Sequence, residues 1–336
     1  MSQKPKARST LLKLFPWVIT IVACYIAFKE VNWDEFFMNL RQCDPSWLLV
    51  ALVATAMSYL LRSYRWLYFF PKPVLSFADA TRVLILGFFM NNILPARTGE
   101  FVRAHMGASI TKEKRTLVLA TIASERLIDG LVLSFMFVFF VLMFGSQHVS
   151  VNLTYVVALF VAAGLGVLFV LKVRHQLYPL ITAIGNRFNS KLSGYAVDRF
   201  EVFVEGLAPI ASLRRFPIIA LSSIAVWFVE LLVFWCVTES YDIHLGFTGC
   251  VVFLVTVNFS SLIPAAPGGV GVIEAVTAHV LIQSLGVARE LALPMVLTQH
   301  VIQYLVVGIP GALIMLTWKQ RLSQLQNHEN GQATPA

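Results

Sequence analysis

Charge is what this sequence has least of. Asp, Glu, Lys and Arg make up 13% of its 336 residues, about half their usual share in a soluble domain. Hydrophobic residues make up 57%, and the mean hydropathy is +0.73. That balance excludes an ordinary soluble fold and points to a polytopic membrane protein. Cysteine is scarce too. Cys24, Cys43, Cys236 and Cys250 form no CxxC pair, so neither a zinc site nor a disulfide framework follows, and no metal or cofactor is expected. The chain has no GxxxxGK(S/T) stretch, which argues against ATP-driven export by this chain alone.

What is there is a set of long apolar runs. Residues 11–28, 47–61, 117–144, 153–172, 217–237 and 292–317 reach or approach the roughly 20 apolar residues that span a bilayer as a helix, giving six spans. A net charge of +8 would suit nucleic acid, but its distribution suits a membrane. With the N-terminus in the cytoplasm, 22 of the 26 Lys and Arg residues fall in 1–13, 62–82, 95–116, 172–216 and 318–336. Both termini are then cytoplasmic, and nucleic acid is not an expected partner. The outer loops agree: 29–46 carries Glu30, Asp34, Glu35 and Asp44, while 145–152 and 238–246 lack Lys and Arg. Ile21-Val22-Ala23-Cys24 weakly resembles a lipoprotein cleavage box, yet the apolar run continues to Phe28, so an uncleaved first span is expected.

Two segments interrupt this pattern. Residues 83–94 are too short to cross and are flanked by Arg82 and the basic stretch Arg97 to Arg115. The segment is therefore expected to enter and turn back, opened by Pro95 and Gly99. Non-helical backbone at that depth needs protein or a water-filled cavity around it. The second interruption is SSLIPAAPGGVGVIEA, Ser260 to Ala275, where apolar stretches 247–263 and 272–287 flank a break at Pro264, Pro267, Gly268, Gly269 and Gly271.

The two interruptions match. Asn91-Asn92-Ile93-Leu94-Pro95-Ala96 aligns with Ser260-Ser261-Leu262-Ile263-Pro264-Ala265, and Phe101 to Ala104 with Val272 to Ala275 after a two-residue insertion. A weaker echo sets Ser124-Glu125-Arg126-Leu127-Ile128 against Thr298-Gln299-His300-Val301-Ile302. Since the second break is approached from outside, the halves have opposite orientation. The expected fold is an all-α membrane helical bundle, an inverted repeat with two re-entrant or broken-helix hairpins, an arrangement that marks a transport site near the midplane. Each arm of the second hairpin is long enough to cross outright, which would make eight spans. One transmembrane domain is expected over 1–320, with a first half 11–172, a cytoplasmic linker 173–216 and a second half 217–317, followed by a disordered tail 321–336. In the linker, Phe200, Val204 and Leu207 share one helical face, as an interfacial helix or a packed linker helix would.

The charges left inside are the candidate site. Arg97, Arg103 and Arg126 suit an anion, because a guanidinium keeps its charge at depth and grips a phosphate through two parallel hydrogen bonds. The breaks also expose helix N-termini, whose N–H groups favour phosphate. Glu100 and Arg103 share a helical face, as do Glu125 and Asp129. Arg126 lies about 100 degrees around the helix from Glu125, so its partner is expected elsewhere, with Glu100 as one candidate. These carboxylates neutralise the arginines when no substrate is bound, or the whole set is a structural ion-pair network with no ligand. Glu274 is either a cavity-facing functional residue or the partner of a first-half arginine. His279 and His300 read as hydrogen-bonding residues of the bundle interior. Glu230, central in a span with no cation near it in sequence, must be protonated, paired or beside water, and is the candidate for proton coupling.

The motifs NNILPARTGEFVRA (Asn91 to Ala104), ASERLIDGL (Ala123 to Leu131) and IPAAPGGVGVIEA (Ile263 to Ala275) resemble the lysylphosphatidylglycerol synthase transmembrane region, a flippase-like integral membrane family. The resemblance runs from about residue 10 to about residue 320. It implies an inner-membrane protein that moves lipids between leaflets, with family importance carried by Asn92, Pro95, Arg97, Gly99, Glu100, Arg103, Glu125, Arg126, Asp129, Pro264, Gly268, Gly269, Gly271 and Glu274. Only a short polar stretch follows the last span, so the aminoacyl-transferase domain of two-domain members is not expected in this chain. The leading expectation is a translocase for an anionic phosphate-bearing lipid: an anionic phospholipid, cardiolipin or a polyprenyl-phosphate carrier. The alternatives are a non-transporting accessory partner of a separate lipid-modifying enzyme, or a polyprenyl-phosphate-dependent glycosyltransferase using Asp34 and Glu35.

Overall fold

The computed structural model describes residues 6–29, 31–94, 98–144, 151–186, 190–263 and 265–331. Among them there is no strand. Twelve α-helices follow in chain order: α1 (Lys6–Phe28), α2 (Trp33–Gln42), α3 (Pro45–Tyr68), α4 (Phe77–Ile93), α5 (Gly99–Thr111), α6 (Arg115–Phe144), α7 (Val151–Asn186), α8 (Ser190–Leu207), α9 (Phe216–Ser240), α10 (Gly246–Ser260), α11 (Val272–Leu285) and α12 (Arg289–Gly331). Short polar residues set several of the starts. Asn32 accepts from the backbone N–H groups of Asp34 and Glu35, Asp44 from Ser46, and Ser76 from Asp79, each satisfying donors that the first turn leaves open.

By length and composition, four described helical stretches can cross a bilayer: Pro45–Tyr68, Phe216–Ser240, Pro267–Leu285 and Arg289–Thr317. Three coincide with expected spans. The third in chain order is the second arm of the second hairpin, in line with the eight-span alternative. Helices α1, α6 and α7 cover the other three apolar runs. Large apolar side chains point outward along these helices, among them Val53, Met57 and Leu60 on α3, Leu221 and Phe228 on α9, and Ile309 and Leu313 on α12. Such a surface is costly in water and matches lipid tails.

The packing has the form of the repeat read in the sequence. Helix α5 doubles back along α4, and the contact is close because glycines line it. A Cβ on Gly99 would lie 2.3 Å from the Gly87 carbonyl oxygen, and one on Gly87 would lie 2.8 Å from Arg103 Cβ. Helix α11 packs against α10 in the corresponding way. Each unit then leans on the other: α3 packs along α9, α4 on α12, and α10 on α6. Every one of these contacts either maps onto itself or onto another when the halves are exchanged.

Three boundaries differ from the sequence expectations. Helix α3 continues through Arg62 and Arg65 to Tyr68, so these two arginines are not loop residues. Helix α7 runs on past residue 172 to Asn186, and α8 packs on α6 and α7 as a linker helix, with Gly206 against Ala120. Helix α12 extends to Gly331, so 321–331 is helical where a disordered tail was expected. Its Arg, Leu and Gln residues favour helix, which carries the last turns beyond the apolar run.

Candidate functional site

The site starts from a polar stripe on α3. Thr55, Ser58, Tyr59, Arg62, Arg65 and Trp66 recur at intervals of three and four, so they share one face, and all are buried. Helix α6 answers with Glu125 and Asp129, four apart, also buried. Asp129 is the hub. It takes Arg65 Nη1 at 2.6 Å, Trp227 Nε1 at 3.1 Å, and approaches Arg62 and Arg126 at 3.5 Å each. Glu125 holds Arg103 Nη2 at 2.6 Å and lies 3.5 Å from Arg65 and 3.9 Å from Arg126. Glu230 on α9 accepts from Ser58 at 2.7 Å and Arg62 at 3.1 Å, and Glu100 on α5 accepts from Arg126 Nε at 2.9 Å.

Four arginines therefore meet four carboxylates among the described residues. Leaving any one of these charges alone at this depth would cost several kcal/mol, about 3–5 when one partner of a buried pair is removed. Formal neutrality is what makes the cluster tolerable. It also places each candidate. Arg103 is 1% exposed and lies over the Trp66 ring at 4.0 Å, so it faces the α3–α6 interface and not the cavity. Glu125 is 0% exposed behind it. Arg126 differs: 26% of its side chain is open, stacked over Phe88 at 5.1 Å, beside Glu100 at 28%.

That opening leads into a cavity of about 610 Å³, within the range of small-molecule sites. Arg62, Arg126, Glu100, Asp129, Asn91 and Asn92 line its charged wall. Asn91 is 9% exposed, and its Oδ1 has no hydrogen-bond partner among the described residues. Apolar side chains such as Phe88, Phe101, Leu262 and Ile263 complete the surface on the side of the two breaks.

The opposite wall comes from the second break. Gly268 and Gly269 contribute backbone there, with His300, Gln303 and Tyr304 of α12 beside them. Gly268 has φ +71°, and the Tyr304 hydroxyl sits where its Cβ would be, 1.5 Å from that position. Only glycine fits this turn. Gly271, at φ +85°, lies against Cys24 and the Thr20 carbonyl of α1, and the Ala266 N–H donates to Thr20 Oγ1 at 2.9 Å. Helix α1 thus satisfies part of the broken backbone.

Glu274 departs from the cavity-facing reading of it: it is not on the cavity surface. Among the described residues it pairs with no arginine. Its Oε2 accepts the Gly271 N–H at 2.6 Å, closing the start of its own helix, and its Oε1 meets His300 Nδ1 at 2.6 Å. This helix N-terminus is therefore not free for a phosphate, contrary to the expectation for open breaks. His300 is buried and hydrogen-bonded, as read. His279 is not: it is exposed, because α11 buries the face carrying Glu274, Thr277, Ala278 and Leu281.

Glu230 is paired, the partner being Arg62 from 168 positions away. Arg97, Pro95 and Pro264 lie outside the described residues. Gly99 closes the first hairpin, while Pro267, Gly268 and Gly269 form a short 3-10 turn before Gly271 caps α11. Sequence reading missed Arg62, Tyr59, Gln303 and Trp227 as cavity residues, and Arg65 as a network member. Among the described residues, no group of three or more His, Cys, Asp or Glu side chains could hold a metal ion.

Comparison with known proteins gives a consistent picture. The sequence model of the family described as "Lysylphosphatidylglycerol synthase TM region" matches residues 13–311. A protein named glycosyltransferase AglD from Haloferax volcanii is 24% identical over 344 aligned positions, covering 89% of this chain and 53% of that protein. A protein named as a UPF0104 membrane protein, from Methanocaldococcus jannaschii, is 23% identical over 195 positions, 57% of this chain and 79% of its own. The chain thus spans about half the length of the first relative. These likenesses place it with membrane proteins of lipid and envelope biosynthesis.

Proposed function

We propose, from the premise that this chain belongs to the lysylphosphatidylglycerol synthase transmembrane-region family, that it is a lipid translocase. It moves an anionic phosphate-bearing lipid between the leaflets of the cytoplasmic membrane, with both termini in the cytoplasm. The observation that carries this reading is the open face of Arg126 in a cavity walled by two helix breaks. A phosphate entering there takes the place of Glu100 on the guanidinium, which offers it two parallel N–H donors. The lipid's chains stay in the bilayer beside the apolar rim, and access alternates as one repeat unit rocks against the other. Anionic phospholipids, cardiolipin and polyprenyl-phosphate carriers all present this chemistry.

The test is headgroup accessibility of fluorescent phosphatidylglycerol in sealed liposomes. Wild-type protein should expose inner-leaflet lipid to an external quencher, and Arg126→Ala should lower the rate about 10- to 100-fold, the loss of one to two charge-assisted hydrogen bonds. A folded wild type that matches empty liposomes overturns the reading.

One observation favours a second reading, a non-transporting accessory protein that supports a separate lipid-modifying enzyme. Every carboxylate of the network already has an arginine, as a purely structural lock would require. The glycosyltransferase reading is weaker. It draws on the name of a relative of which this chain covers 53%, and Asp34 and Glu35 sit in the first turn of α2, capped by Asn32.

A further inference from the structure

The repeat sets His300 in the place of Arg126. The sequence match aligns the two, each sits on the last helix of its unit, each lines the same cavity, and each is bonded to a carboxylate on the returning helix of its own hairpin. One cation is permanent and the other is titratable. With Nδ1 donating to Glu274, the remaining ring nitrogen, Nε2, is the atom that accepts a proton.

We propose that His300, oriented by Glu274, is a proton-binding site coupled to occupation of the cavity by an anionic headgroup. This rests on the transport reading above and adds its energy coupling. Without the extra proton the Glu274–His300 pair carries one negative charge at the cavity wall. With it the pair is neutral, and the cavity facing an incoming phosphate is more positive by one unit. Proton and anionic lipid then bind together, each raising the affinity for the other by the same factor.

The surroundings leave His300 to respond. From α1, Cys24 lies beside Gly271, and from α12 itself the Tyr304 ring lies tilted against the imidazole with ring centroids 4.8 Å apart. From α3, Tyr59 accepts a bond from Gln303. Helix α10 presents uncharged Asn258 to the cavity, and α4 presents Asn91 and Asn92. The charged groups Arg62, Glu100, Arg126, Asp129 and Glu230, from α3, α5, α6 and α9, are engaged with one another. No lysine or arginine bonds Glu274 among the described residues, so a countercharge beside it comes with the proton that His300 takes up.

Short-chain phosphatidylglycerol provides the probe, titrated into the purified full chain in nanodiscs of neutral lipid at pH 5.5 and pH 8. The wild type should bind about tenfold more tightly at the lower pH. His300→Gln, which keeps a side-chain hydrogen-bond donor, should bind with the weaker affinity at both. Calorimetry in two buffers of unlike ionisation enthalpy, on wild type alone and across the pH range, should find an uptake that peaks at about half a proton per lipid, the most that a tenfold coupling allows. A pH-independent wild type, a variant with the full pH dependence, or zero proton uptake overturns the proposal while leaving transport intact. No lipid binding at either pH overturns both.

Discussion

The two helix breaks match in sequence and differ in how they handle charge. Around the first, Arg103 and Arg126 are held by carboxylates that also bind Arg62 and Arg65, so neutrality is spread over α3, α5, α6 and α9. Around the second, one carboxylate caps its own helix and meets one histidine. The same backbone device therefore supports a tertiary charge network on one side of the cavity and a local carboxylate–histidine pair on the other. A duplicated fold keeps the break because the chain geometry needs it. It does not keep the chemistry.

This contrast can be broken most severely at Glu125. Glu125→Ala strands Arg103 at full burial, removes one of the two carboxylates beside Arg65, and should cost about 3–5 kcal/mol, seen as a collapse of folded yield and of the thermal unfolding midpoint in detergent. Glu274→Ala should cost about 1–2 kcal/mol, a lost cap and one orphaned donor, in the same melting experiment. Equal losses would mean the second pair is also part of a distributed network. Gly268→Ala should fall near this smaller cost or above it, about 1–3 kcal/mol, since its positive φ is strained for alanine and the Tyr304 hydroxyl must move.

A sharper test pairs α3 with α9. Arg62→Met and Glu230→Gln should each destabilise, but the double variant should be less unstable than the sum of the singles by about 1–3 kcal/mol, measured as a double-mutant cycle on the unfolding midpoint. Additive effects would remove Glu230 from the network. The smallest effect is expected at the exposed Lys114–Asp198 pair, where a hydrogen bond from Lys114 holds the Asp198 carboxyl below its ordinary value. Lys114→Ala should leave the melting midpoint unchanged within error.

Much of this was legible in the sequence. The two breaks and the glycines that close them follow from spacing, and the helical angle turns Arg126 away from Glu125, with Glu100, its partner in the fold, as one candidate. Arg62 and Arg65 did not, because they stand at the end of an apolar run, where counting basic residues for topology assigns them to a loop. The signal was the three-and-four spacing from Thr55 to Trp66, which continues the helix and gives it one polar face. Glu230 lacked a visible partner because that partner is 168 positions away, and Glu274 with His300 are 26 apart on separate helices. Local pattern gives elements. It does not give which faces meet.

The central claim is that the cavity beside Arg126 receives the phosphate of a membrane lipid. Replacing Phe88, whose ring lies 5.1 Å from the Arg126 guanidinium, with a photoreactive phenylalanine analogue and irradiating the protein in mixed anionic and neutral bilayers reads this directly by mass spectrometry. Crosslinks enriched in the anionic lipid, and reduced to its bilayer proportion by Arg126→Ala, are the predicted result. Crosslinks at the bilayer proportion in the wild type, or none while a lipid-facing control at Phe228 labels normally, would contradict the account.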